Sequence, residues 1–192
     1  MPTIPAMSTQ PEATVEAARL QALRRYNILD TPQDGSLNRL AELAARVFNM
    51  PIAIISLVDE DRIWFKSRHG VDAEQIDRGG GLCDSAILSD EVYIVENARN
   101  DPRTLTNPLV AGEFGLQFYA AAPLRTHDGY RLGTFCLIDQ KQRYLNENQK
   151  LILQDMAAIV MDEIELRLAA RQAAQENERQ LHELRQQLAL KA

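Results

Sequence analysis

The chain has 192 residues, 45% of them hydrophobic and 25% charged, with a formal net charge of −6 at pH 7. That is apolar material for one core of ordinary domain size and not for two. The acidic balance, without any block of Lys and Arg, excludes nucleic acid and anionic membrane surfaces as partners. The longest apolar run, PIAIISLV, is too short to cross a bilayer, and the N-terminus lacks the charged start and apolar core of a signal peptide. A cytoplasmic location is expected.

Residues 1–14 hold three prolines among Ser, Thr and Gln, a composition that reads as a disordered lead. From Glu16 the spacing of Ala17, Leu20, Leu23 and Ile28 predicts a short helix, ended at LDTPQDGS by Pro32 and Gly35. Ser36 is the expected N-cap of a second helix, in which Leu37, Leu40, Ala41, Ala44, Val47 and Phe48 form one stripe at helical period. After Pro51, IAIISLV and RIWFKSRHG read as a β-hairpin whose first strand is central, with Asp59, Glu60 and Asp61 as a solvated turn. Trp64 and Phe65 fall on opposite faces of their strand, one toward a core and one toward any cavity. Gly79–Gly81 is not followed by the Lys-Ser or Lys-Thr of a phosphate loop, so it reads as a flexible approach to the next segment.

VYIVEN predicts a short strand, and ARNDPRTLTNPLVAGEFGLQ a loop long enough to suggest function. FYAAAPLRT and RLGTFCLID form a second hairpin across HDGY, where Asp128-Gly129 suits a tight turn. Asp101 and Asp139 read as turn and strand-end residues. The two cysteines, Cys83 and Cys136, share no CxxC spacing, which gives neither a disulfide framework nor a zinc site.

From Asn146 to Ala192 there is no Pro or Gly, and Leu, Ala, Glu, Gln and Arg dominate, which predicts one long helix. Val160, Ile164, Arg167, Ala170, Ala174, Asn177, Leu181, Leu184 and Leu188 mark a coiled-coil seam that needs a second chain. The expectation is a homodimer joined along this helix.

The stretches LDTPQDGSLNRLAELAARVFNMPIAIISLVDEDRIWFKS, LCDSAILSDEVYIVENARNDPRTLTNPLV and FYAAAPLRTHDGYRLGTFCLID resemble the GAF domain, a small-molecule sensor module of bacterial signalling proteins. The resemblance is to GAF domains found ahead of histidine kinases and diguanylate cyclases. It implies an α+β fold: a central antiparallel sheet with helices on both faces, the terminal helices on one and a loop-roofed ligand cavity on the other. The domain would span 15–165 and a coiled-coil signalling helix 166–192, with an output kinase or cyclase in cis or in trans. Pocket candidates on this basis are Trp64, Phe65, Cys83, Ser85, Ile87, Phe118, Tyr119, Thr134 and Cys136, and the ligand is unknown.

Within the resemblance, Cys83 is followed by Asp84 and not by the histidine of bilin-binding relatives, which argues against a covalent bilin. The Asn-Lys-Phe-Asp-Glu signature of cyclic-nucleotide-binding members is missing too. One branch of the family is a free methionine-(R)-sulfoxide reductase, whose chemistry takes a second cysteine from the facing loop. Residues 99–117 hold none, and Cys136 reads as a small buried hydrophobe within its strand. The sequence therefore favours a sensory domain without catalysis. The alternatives are a reductase-like enzyme and a purely structural dimerisation domain.

Overall fold

A computed structural model describes residues 10–189. The first helix, α1 (Gln10–Arg25), starts earlier than the expected Glu16. Pro11 lies in its first turn, where a proline removes only an N–H that has no partner within the helix. Of the expected disordered lead, residues 10–14 are thus helical, and residues 1–9 lie outside the described residues.

Helix α2 (Gly35–Phe48) is capped by Asp34 and not by Ser36. The Asp34 carboxylate accepts from the backbone N–H groups of Ser36 at 2.9 Å and Leu37 at 3.4 Å. A full negative charge at the positive end of the helix is a better acceptor than a hydroxyl. The helix buries Leu37, Ala41, Ala44, Ala45 and Phe48 and leaves Val47 exposed.

The strands follow as β1 (Ile52–Val58), β2 (Arg62–His69), β3 (Gln75–Asp77), β4 (Tyr93–Val95), β5 (Phe118–Arg125) and β6 (Arg131–Asp139). They form one antiparallel sheet in the order β3-β2-β1-β6-β5-β4. β1 is central and buried along its whole length, as a strand covered on both faces must be. Two short helices, α3 (Cys83–Ala86) and α4 (Pro108–Ala111), and a 3₁₀ turn at Arg78–Gly80 interrupt the connections. The segment expected to be one long loop therefore contains a helical turn.

Strand alternation splits the interior into two clusters. On one face Ala53, Ile55, Leu57, Trp64, Phe118, Ala120, Phe135 and Leu137 meet α1, α2 and the final helix α5 (Glu147–Ala189). On the other, Ile54, Phe65, Tyr119, Ala121, Cys136 and Ile138 meet the short elements of residues 76–116. A bulge opposite Ile55 and Ser56 leaves Lys66 as the extra residue of β2. Its ammonium donates to Thr31 Oγ1 and to the Pro32 carbonyl, both at 2.7 Å, while Ser67 donates to Asn38. Gly133 permits the close pairing of β6 with β1, since a Cβ there would stand 1.9 Å from the Ser56 carbonyl oxygen.

Helix α5 is continuous through Ala189; residues 190–192 lie outside the described residues. Its core side carries Leu153, Met156, Ala157, Val160, Met161 and Ile164, and nothing beyond Ile164 is fully buried. Val160 and Ile164, expected in an interchain seam, are therefore spent on the chain's own core. Arg167, expected as a polar seam position, is bound to Asp34 and Glu163 of its own domain. The first part of the expected seam is taken by the chain's own core because the same helix must first cover its sheet. The exposed apolar residues, Leu151, Ile159, Leu166, Leu181, Leu184 and Leu188, lie on another side.

Candidate functional site

Between the sheet and the segments at 76–83 and 109–116 lies a small cavity of about 20 Å³. Phe65, Leu109, Leu116 and Tyr119 wall it together with both cysteines, Cys83 from α3 and Cys136 from β6. The volume fits one water-sized body. Gly81 lets the roof descend this far, since a Cβ there would meet Ile63 Cδ1 at 2.0 Å.

Cys83 is the focus of the polar groups under the roof. Tyr119 donates its hydroxyl to Cys83 Sγ at 3.2 Å, and Ser56 Oγ donates to the same sulfur at 3.5 Å. Ser56 is joined to Thr134 Oγ1 at 3.0 Å. Cys136 lines the same cavity as Cys83. It favours the Cys83 thiolate most, and the neighbouring hydroxyls add to it, so Cys83 is the thiol that ionises first. Cys136 keeps its proton because it faces that sulfur and is buried. Burial also holds Tyr119 protonated, which keeps it a donor. The two cysteines, unrelated by spacing, thus share one cavity.

The roof is tied to the opposite face of the sheet by one side chain. Arg78 donates to Asp84 beside Cys83 at 2.8 Å, to the Asp59 carbonyl at 2.9 Å, and to Glu16 of α1 at 2.7 Å. Arg19 and then Arg78 hold the Glu16 carboxyl down to about 2. Just past α1, the Tyr26 hydroxyl donates to Glu165 at 2.7 Å, and Arg171 donates to the Tyr26 carbonyl. A continuous set of contacts thus joins Cys83 to α5.

The GAF domain family profile matches residues 34–164, more than half of the chain. The chain belongs to the GAF domain family. It is 36% identical over 159 residues to a cyclic di-GMP phosphodiesterase of Pseudomonas aeruginosa, a match that covers 82% of this chain and 27% of that protein. The chain thus spans about a quarter of that relative's length. Among solved structures, the free methionine-R-sulfoxide reductase of Neisseria meningitidis is 18% identical, with a TM-score of 0.58 over 90% of this chain and 99% of that one. The GAF domain of an Acinetobacter phosphoenolpyruvate-protein phosphotransferase is 17% identical, with a TM-score of 0.57 over 87% and 97%. At such identities these two likenesses show the fold alone.

Of the residues expected in the GAF cavity, Phe65, Cys83, Tyr119 and Cys136 wall the space under the roof. Thr134 shares that face through Ser56, and Ile87 is buried in the same cluster without reaching the cavity. Three residues lie elsewhere. Trp64 and Phe118 belong to the helix-side cluster, by strand alternation, and Ser85 is exposed on the outer side of α3. Asp101 pairs with Arg103 and Asp139 with Arg143, as turn and strand-end residues. Sequence reasoning missed Ser56 and Arg78. A lone serine inside the apolar run IAIISLV is the signal that Ser56 offered.

A larger cleft of about 530 Å³ lies on the helix side, among Tyr26, Thr31, Asp34, Lys66, Arg167 and Arg171. It opens widely to solvent, and its charged groups are already engaged, Arg167 with Asp34, and Lys66 and Arg171 with neutral oxygens of Thr31, Pro32 and Tyr26. The roofed cavity, whose polar atoms converge on one sulfur, is the better candidate site. Among the described residues, no helix is long and apolar enough to cross a membrane.

Proposed function

We propose that this GAF domain is the input segment of a signalling protein, taking its signal under the roof at 76–116 and passing it along α5. The observation that carries the reading is α5 itself. It begins as a wall of the core and continues past Ile164 as an exposed helix with Leu181, Leu184 and Leu188 on its surface. So narrow an apolar stripe stabilises a helix only against a second helix. The fitting partner is a second copy, joined in parallel through Ile159, Leu166, Leu181, Leu184 and Leu188.

The resemblance to part of a cyclic di-GMP phosphodiesterase supports an output module of cyclic-dinucleotide turnover, joined in cis or met in trans. A kinase or cyclase output fits the same helix. Signal passage needs two packings of α5 that the roof stabilises unequally. The Arg78 contacts to Asp84 and Glu16 provide a link from roof to helix that bypasses the sheet.

Native mass spectrometry tests the assembly. A dimer is expected at tens of micromolar, with Leu184→Cys crosslinking between copies on mild oxidation. Leu181→Asp together with Leu184→Asp should give a monomer with an unchanged unfolding midpoint, and a monomeric wild type would end this reading.

A further inference from the structure

We infer that Cys83 and Cys136 form an oxidisable dithiol whose reagent is a small neutral hydroperoxide, with Cys83 attacking and Cys136 resolving. The inference deepens the reading of the roofed cavity as an input site by naming a reagent for it. Its readout is the state of the thiols, so it stands or falls apart from signal transmission.

The cavity sets the size and charge of the reagent. Its walls are apolar apart from the sulfurs and Tyr119, and its volume of about 20 Å³ admits a body of a few atoms and excludes an organic ligand in this conformation. A charged oxidant would lose its hydration on entering such walls, whereas hydrogen peroxide is small and uncharged. Cys83 then has what an attacking sulfur needs. Tyr119 and Ser56 aim hydroxyl donors at it, and the resolving thiol, Cys136, lines the same cavity of about 20 Å³.

The steps balance. The Cys83 thiolate attacks one peroxide oxygen; an S–O bond forms, the O–O bond breaks, and the departing hydroxide takes up the proton that the Cys83 thiol released, leaving a sulfenic acid and water. Cys136, giving up its proton, attacks the sulfenic sulfur; the S–S bond forms, the S–O bond breaks, and hydroxide leaves with that proton as a second water. Two thiols are oxidised and one peroxide is reduced. The hydroxyls of Tyr119 and Ser56 stabilise the developing negative charge, first on sulfur and then on the departing oxygen.

Access comes from the roof. Cys83 and Cys136 are both buried, so peroxide enters when the glycine run Gly79–Gly81 lifts, between the anchor at Arg78 and α3. Three features favour that motion: the run Gly79–Gly81, open space around Gly79, and the attachment of Gly80 to the facing loop through one hydrogen bond from Asn107, at 3.3 Å.

The test uses the reduced full chain treated with hydrogen peroxide, then denatured and alkylated. The expected product has lost two hydrogens, resists alkylation at both cysteines, and yields a reducible peptide linking 83 to 136. Cys136→Ser should stop at a sulfenic acid that dimedone traps on Cys83, and Cys83→Ser should leave Cys136 reduced at the same dose. Tyr119→Phe should slow the oxidation several-fold and move its pH profile upward, a change that a packing role alone would not produce. Circular dichroism checks that the variants fold. Two freely alkylated cysteines in peroxide-treated wild type would overturn the inference, and that measurement needs no variant. Oxidation of Cys136 in Cys83→Ser at the wild-type rate would overturn the assignment of roles.

Discussion

The two faces of the sheet are built to different rules. The helix face is sealed by three long helices and by ion pairs that reach across elements, such as Arg167 with Asp34 and Arg25 with Asp128. The roof face is closed by two helices of four residues each, a three-residue 3₁₀ turn and glycines, around a polar centre at Cys83. Short elements with few interlocking side chains open at lower free energy than long packed helices. One sheet therefore carries a permanent core on one side and a door on the other.

The sharpest way to break that contrast is to cut each side. Phe135→Ala, which removes a fully buried ring from the helix face, should cost about 3–5 kcal/mol in denaturant unfolding. Leu109→Ala, at the half-buried roof, should cost less than about 2 kcal/mol. Equal costs would abolish the distinction.

A smaller effect tests the cap. Asp34→Ala removes the acceptor of two N–H groups and the partner of Arg167, and should cost about 1–2 kcal/mol at neutral pH. The Arg167 guanidinium, then Ser36, holds the Asp34 carboxyl well below the usual carboxylate range. A lowered native pKa means that the stabilisation is present above the unfolded value of about 4 and is lost as pH falls below it. The melting temperatures of wild type and variant should therefore converge between about pH 5 and pH 2.

The smallest change in stability is expected at the clasp. Arg78→Gln exchanges partly exposed ion pairs for neutral contacts and should cost less than about 1 kcal/mol. Alkylation of Cys83 in the native protein should nevertheless become several-fold faster, because the roof loses its tie to α1. An unchanged alkylation rate would show that Arg78 is decoration.

Much of this was legible in the residues. IAIISLV declares a central strand by composition, RLGTFCLID reads as a hairpin strand with Asp128-Gly129 at its turn, and the stretch after Asn146 reads as a long helix. What was hidden depends on long-range contacts. Asp34 prevails over Ser36 as cap partly because Arg167, 133 positions away, binds it too. Val160 and Ile164 have coiled-coil spacing, but spacing does not say whether the partner is another chain or the helix's own sheet. Cys136 sits mid-strand as expected, and only the fold of α3 over β6 sets it beside Cys83. Strand alternation sets Trp64 and Phe65 on opposite faces, since both precede the bulge at Lys66, and the rule carried through to the candidate residues would have removed Trp64, and on β5 Phe118, from the cavity.

The length of α5 has a mechanical consequence. About 25 residues lie between Ile164, its last core-buried residue, and Ala189, and at 1.5 Å per residue they form an arm of about 37 Å. A tilt of about 5° at the pivot would sweep the far end through about 3 Å, comparable with the rise of two helical residues. A displacement too small to disturb the sheet would thus arrive amplified at whatever is held near residue 189. In the proposed signalling role the helix would act as a lever whose fulcrum is the patch around Arg167, Asp34 and Tyr26, and stiffness there would set its gain.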